Sequence, residues 1–286
     1  MQTIALALVA AALFGAALVT THTGLGHMDA ASGARVSVPA ATLLFWLCSP
    51  LLDWSSWQWA AAGIFALVGL FFPAAVTILT FEANRRLGPT TAGTVGSTAP
   101  FFAVLGAALF LGEALGAREL IATAVIVLGS IALSKAEGGD SGNAPARALW
   151  LPWSAAILRA LAQVLSKAGL ALWPSPFAAA LMGYTVSTAA IWSASALARH
   201  RRFVANRRGA SWFALTGVLN GSAVIALYSA LNTGPVYLVS PIVATYPLFT
   251  LALSAAFLRH ERLTRRLILG VALTVAGVVM LLARGR

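Results

Sequence analysis

The chain has 286 residues, of which 59% are hydrophobic and only 9% are charged, whereas soluble domains carry roughly a quarter charged residues. A water-soluble fold has no room to bury so much apolar side-chain surface, so the sequence predicts an all-α integral membrane protein. The formal net charge of +11 comes from short basic clusters between apolar runs, a pattern that indicates membrane topology and argues against nucleic-acid binding. The one cysteine, Cys48, excludes a disulfide framework within the chain and a cysteine-based metal site.

Ten apolar runs follow one another along the chain, most of them near the roughly 20 residues that span a hydrocarbon core. The first run lacks the basic start and the cleavage site of a secretory signal, so we expect a retained helix. The fifth and tenth runs are short. The predicted spans are Gln2–Thr21, Val36–Leu52, Trp57–Glu82, Thr90–Leu111, Leu120–Leu133, Leu149–Ala171, Phe177–Leu197, Trp212–Asn232, Val236–Leu258 and Leu267–Leu282.

The two halves of the chain share a pattern of residues. A polar, Gly-rich stretch at 136–148 predicts a linker between a first five-helix unit at 1–135 and a second at 149–286. Gly88–Pro89 in the first unit corresponds to Gly234–Pro235 in the second, and Pro100 corresponds to Pro247. A chance likeness between apolar stretches is the alternative, but the matches occur in order. Because five is odd, the second unit enters the membrane from the opposite side, which predicts an inverted-topology repeat.

These residues resemble the drug/metabolite transporter superfamily, specifically its EamA-like branch of paired five-helix units. The likeness rests in the first unit on Ala83 to Thr90, Pro100, Leu111–Gly112–Glu113 and Gly129, and in the second on Ala230 to Pro235, Pro247, Glu261 and Gly277. The resemblance implies a transporter with both termini in the cytoplasm. It does not name the cargo, because relatives carry amino acids, purines, drugs, nucleotide sugars or lipid-linked sugars.

Basic residues are concentrated in alternate loops. One side of the predicted membrane has only Arg118, Arg284 and Arg286, and the opposite side has Arg35, Arg85, Arg86, Lys135, Arg147, Arg199, Arg201, Arg202, Arg207, Arg208, Arg259, Arg262, Arg265 and Arg266. Since positive loops prefer the cytoplasm, this bias predicts that both termini lie outside. The family resemblance implies the reverse, and the sequence leaves both orientations open.

The sixth predicted span carries the strongest candidate for a binding residue. Arg159, Gln163 and Lys167 follow one another at spacings of four, so they share one face of a helix. An ionisable side chain at membrane depth costs about 2.5 to 3.5 kcal/mol on insertion scales, so each needs a reason. We expect Arg159 to face an internal cavity with Gln163 beside it. The alternative is that Arg159 and Lys167 snorkel to the headgroups at opposite interfaces.

Other polar residues and prolines lie near the middle of predicted spans. We predict that Thr98, Asn220 and Tyr246 contact the substrate, and that Pro100 and Pro247 kink their helices and permit gating. The alternative is ordinary helix packing, which small and hydroxylated residues also support in membranes.

The acidic residues and histidines favour a carrier over an enzyme. No Asp or Glu lies in the middle of a predicted span, so proton exchange centred on a carboxylate has no residue to use, and no catalytic group, cofactor site or metal cluster is evident. We expect Glu82 to form an interfacial ion pair with Arg85 and Arg86, Glu113 to lie at a helix end, and His22 and His27 to lie in a solvated loop.

The sequence as a whole predicts a secondary carrier in the cell inner membrane. A cationic centre without a countering acid suits a small anionic or zwitterionic metabolite, and export of amino acids by alternating access is the leading hypothesis. The expected partners are this small-molecule substrate and the lipid bilayer, with no nucleic acid; the oligomeric state is left open. The alternative is a flippase subunit or a membrane enzyme that acts on a lipid-linked intermediate.

Overall fold

The computed structural model describes residues 1–137, 146–197, 206–258 and 265–283, and these residues form twelve α-helices and no β-strand. The predicted all-α class is therefore confirmed for the described residues. The helices are α1 (Gln2–Leu25), α2 (Ala30–Leu47), α3 (Trp59–Phe71), α4 (Ala74–Gly96), α5 (Ala99–Leu111), α6 (Ala117–Glu137), α7 (Trp150–Leu172), α8 (Pro176–Leu197), α9 (Arg207–Thr233), α10 (Val236–Val243), α11 (Tyr246–Leu258) and α12 (Arg265–Leu282).

Seven stretches of the described chain are long and apolar enough to cross a membrane. Two further apolar helices, α5 and α12, are shorter. The chain is thus a multi-pass membrane protein, and the predicted count of ten spans stays a prediction. The seven stretches are Gln2–Leu25, Ala30–Leu47, Trp59–Thr80, Trp150–Leu172, Pro176–Ser195, Arg207–Thr233 and Val236–Leu253.

Two spans predicted in the first unit are each divided between two helices in the structure. The span predicted at Trp57–Glu82 is interrupted after α3, and α4 then continues across Gly88–Pro89. The interruption occurs at Phe72, whose extended conformation (φ −129°, ψ 122°) is the one that a residue before proline favours. The span predicted at Thr90–Leu111 is divided as well, because the chain turns between α4 and α5.

The ninth predicted span, Val236–Leu258, is also divided, into α10 and α11. Pro100 and Pro247 are each the second residue of the helix that follows the turn, α5 and α11 respectively. In the first turn of a helix a proline costs no backbone hydrogen bond, because the N–H groups there have no partner within the helix. Both prolines therefore mark helix starts, whereas the sequence predicted kinks within continuous spans.

Many of the buried contacts between helices are made by small residues, and many large apolar side chains face outward. Ala7, Ala61 and Ala230 are fully buried, whereas the side chains of Leu109 and Phe110 are more than 75% exposed, at 79% and 76%. Water provides no driving force between helices inside a membrane, so small side chains that allow close backbone approach dominate the contacts. The outward Leu and Phe side chains suit a lipid environment.

The last helices of the two units, α6 and α12, cross antiparallel. A Cβ on Gly277 meets Ile126 near the middle of α6, and a Cβ on Gly270 meets Leu133 further along α6. At the opposite end of the pair, Arg118 donates from Nε and Nη2 to the carbonyl of Met280, at 2.9 and 2.6 Å. Corresponding helices of units that had the same orientation would run parallel, whereas an inverted repeat requires corresponding helices to be antiparallel, as α6 and α12 are.

A second pair of corresponding helices, α2 and α8, has the same antiparallel arrangement. Thr42 Oγ1 lies 2.7 Å from Thr188 Oγ1. Nearer the start of α2, Arg35 donates from Nε to Ser195 Oγ at 2.8 Å. Trp46, at the other end of α2, donates to Thr185 Oγ1 at 3.1 Å. The two pairs together place the helices of each unit around a shared centre.

Candidate transport cavity

A cavity of about 390 Å³ lies in this centre, between the two units. We call the end of the bundle where α9 meets α10 at Gly234–Pro235 the joint end, and the opposite end, where Phe213 packs against Gly24, the Phe213 end. The residues of α9 that line the cavity extend from Phe213 to Tyr228. The cavity thus reaches the Phe213 end and stops about 9 Å short of the joint, given a rise of about 1.5 Å per residue.

Arg159 and Gln163 lie on the cavity wall, contributed by α7. Among the described residues that line the cavity, Arg159 is the only one with a charged side chain. Gln163 is 7% exposed, and its Oε1 atom has no hydrogen-bond partner in the described part of the chain. Trp153, beside which a snorkelling Arg159 would lie, packs edge-on against Phe102 with ring centroids 5.9 Å apart. The wall therefore has one cationic group with an unpaired amide oxygen one turn away.

Aromatic and hydroxyl side chains form much of the remaining wall. Asn220 and Tyr246 lie on it, and so do Tyr184 and Tyr228, which sequence reasoning missed. A signal was available, because a tyrosine within an apolar span has a polar tip that needs a partner or water. Ser240 is 1% exposed and also lines the cavity, and its Oγ atom has no hydrogen-bond partner among the described residues.

The remaining predicted site residues lie where α5 and α11 begin. Pro100 and Pro247 both line the cavity, one from each unit. The structure does not place Thr98 with them: its hydroxyl donates to the carbonyl of Val95 at 2.6 Å, and its neighbour Ser97 lines the cavity instead.

Comparison with known proteins identifies the family of this two-unit fold. The sequence model of the EamA-like transporter family matches residues 1–135 and 147–283, almost the whole chain. The chain belongs to the EamA-like transporter family. A solved crystal structure has the same fold, with a TM-score of 0.82 and 17% identity over 97% of this chain and 95% of that chain. No curated protein matches. The family membership predicted from the sequence is confirmed, and it makes the chain a membrane transporter of the drug/metabolite superfamily.

In this EamA-like transporter, Lys167 is not among the described residues that line the cavity. Its ammonium donates to the carbonyls of Leu231 and Gly234, at 2.6 and 2.9 Å. Glu113, from the Leu–Gly–Glu motif after α5, accepts from the backbone N–H groups of Val236 and Tyr237, at 2.8 and 3.2 Å. Both charged residues therefore bind the joint, which sequence reasoning did not foresee because the partners lie more than 60 residues away.

Two ionisable residues of the transporter lie elsewhere than the sequence predicted. Glu82 is in the middle of α4, not at a helix end, and His22 is in the last turn of α1, not in a loop. Glu82 forms an ion pair with Arg86, one turn later on α4. Asp29 accepts hydrogen bonds from the N–H groups of Ala31 and Ser32 and caps the N-terminus of α2. Partial burial opposes ionisation of Asp29, but the Ser32 hydroxyl and these N–H groups outweigh it and lower the pKa of the carboxyl. The described residues contain no group of three potential metal ligands, and Glu261 and Arg202 lie outside them.

Proposed function

We propose that the protein is a secondary carrier that moves a small anionic or zwitterionic metabolite by alternating access. The observation that carries the proposal is Arg159, the one charged side chain among the described residues that line a central cavity. In inverted-repeat carriers the substrate site lies between the repeats, and rocking of one unit against the other exposes it to each side in turn. Amino acids and related compounds are the leading candidates for cargo, and export is the proposed direction.

We propose ten spans in the cell inner membrane. The seven long apolar stretches supply seven of these spans, and α5, α6 and α12 supply the other three. Helix α6 has 21 residues. The antiparallel crossings of α6 with α12 and of α2 with α8 support an inverted arrangement. A unit with an odd number of spans needs this inversion, because its successor begins on the other side of the membrane.

The chemistry of the cavity supports the proposed class of substrate. A guanidinium binds carboxylate or phosphate through two parallel hydrogen bonds. Gln163 Oε1 and Ser240 Oγ are free to accept hydrogen bonds from an amine or hydroxyl of the same substrate. The volume of about 390 Å³ falls within the usual range for small-molecule sites. A polycation has no carboxylate to pair with among the described lining residues.

A thermal-shift screen of the purified protein against a metabolite library tests this proposal, because a bound ligand raises the apparent melting temperature by mass action. We expect carboxylates and amino acids to raise the melting temperature, and Arg159→Leu to remove that ligand-induced rise. Arg118→Leu is the matched control, since Arg118 binds the end of α12 away from the cavity. The proposal fails if only cations stabilise the protein, and binding restricted to lipid-linked phosphates would favour a flippase.

A further inference from the structure

The joint between α9 and α10 is held by side chains from three other helices or helix ends. Lys167 of α7 donates to the carbonyls of Leu231 and Gly234, and Thr3 of α1 donates to the carbonyl of Thr233 at 3.2 Å. Glu113, which follows α5, accepts from the first N–H groups of α10. The last carbonyls and the first N–H groups of a helix have no partner within it, so the joint exposes groups that these side chains satisfy.

These contacts lie directly beyond the closed end of the cavity. Leu227 and Tyr228 of α9 and Ser240 of α10 line the cavity, and the joint follows on the same two helices within about two turns. Thr3 packs so closely on Gly234 that a Cβ there would overlap its methyl group. A passage at this end therefore requires the α9–α10 joint to separate from α1, α5 and α7.

We infer that Lys167 and Glu113 are positioning residues that latch the joint end of the cavity closed, and that opening at this end requires their release. Their charges suit a reversible latch. Lys167 and Glu113 attract one another, and each charge sits at the helix terminus whose partial charge has the opposite sign. When the joint opens, water replaces the lost partners of both ions, so the net cost is far below the strength of the closed contacts.

A two-reporter labelling experiment tests the latch independently of any substrate. Both reporters are made in the Cys48→Ser background and studied in nanodiscs, where a membrane-impermeant maleimide reaches both faces. Val239→Cys places a thiol on α10 at a fully buried position near the joint. Thr21→Cys places a thiol on the cavity wall toward the Phe213 end. Alternating access couples the two ends, so release of the latch has opposite effects on the two rates.

We expect Lys167→Met to raise the labelling rate of the Val239→Cys reporter by about tenfold and to lower that of the Thr21→Cys reporter. Without the Lys167 hydrogen bonds, a larger fraction of the molecules is open at the joint end. Lys167→Arg keeps donors for the two carbonyls and should leave both rates near those of the parent. Arg118→Met removes a similar double hydrogen bond, to Met280 and away from the cavity, and should leave the ratio of the rates unchanged.

An unchanged ratio with Lys167→Met overturns the latch, and so does a rise of both rates together, which indicates general loosening. If Lys167→Met does not accumulate, Glu113→Gln supports the same test, because it removes the negative charge and one of the two acceptors at the start of α10. Since the readout is access and not transport, a failed substrate assay leaves this result interpretable, and the two proposals can fail separately.

Discussion

The first helices of the two units, α1 and α7, differ more in charge than in position. Both pack across the centre of the bundle, and each receives a phenylalanine of the other unit: Phe213 lies against Gly24 of α1, and Phe65 lies against Gly169 of α7. Yet α7 carries Arg159 and Lys167, whereas α1 has no lysine or arginine. The fold repeats, but the charge does not.

The Gly–Pro dipeptides of the two units differ in the same direction. The chain stops being helical at Gly234–Pro235, whereas α4 continues across Gly88–Pro89. The broken joint belongs to the unit whose first helix supplies Lys167. Two units with one architecture therefore adopt different local structures at corresponding Gly–Pro dipeptides.

The two phenylalanine contacts differ in how much space they leave beside the corresponding glycines of α7 and α1. A Cβ on Gly169 lies 2.5 Å from a ring carbon of the fully buried Phe65, and a Cβ on Gly24 lies 3.0 Å from Phe213. We expect Gly169→Ala to destabilise the protein by about 2 kcal/mol, since overpacking a tight site costs about 1 to 3 kcal/mol. Gly24→Ala should cost less. Apparent melting temperatures in detergent check the order, and equal losses would mean that the two contacts are equivalent.

The second prediction concerns the geometry of the cation on α7. Arg159→Lys keeps the charge but loses the planar fork that binds a carboxylate through two hydrogen bonds. We expect affinity for the ligand found in the screen to fall about tenfold, or about 1.4 kcal/mol. Isothermal titration with the wild type as control checks this, and full affinity in the lysine variant would show that charge alone is recognised.

The smallest expected effect is on the α1 side. Thr20 Oγ1 lies 2.8 Å from Thr216 Oγ1 of α9, and polar pairs between membrane helices contribute about 0.6 kcal/mol on average. We expect Thr20→Val to lower stability by about this amount and to leave ligand affinity unchanged. A loss of affinity as large as that of Arg159→Lys would contradict the assignment of recognition to α7.

The sequence alone indicated the helical class, the family and the residues of α7 that reach the cavity wall, because hydropathy, the ordered Gly–Pro and Pro matches and a spacing of four are local features. It missed the interruption at Phe72 and the turn before Pro100, since the hydropathy of an apolar run is the same whether its helix is continuous or interrupted. It missed the hydrogen-bond partners of Lys167 and Glu113 for a different reason. Their partners are backbone groups that become available only when distant helices end at the same place.

Counterflow in proteoliposomes measures whether a substrate site built around Arg159 carries the ligand across the membrane. Vesicles that contain the purified protein are loaded with the unlabelled ligand from the screen, and uptake of the radiolabelled ligand is followed. We predict that labelled ligand accumulates transiently above its external concentration with the wild type and with Arg118→Leu, and that Arg159→Leu behaves like empty vesicles, because the only charged group described on the cavity wall is gone. Counterflow by Arg159→Leu at the wild-type rate would contradict a substrate site built around this arginine.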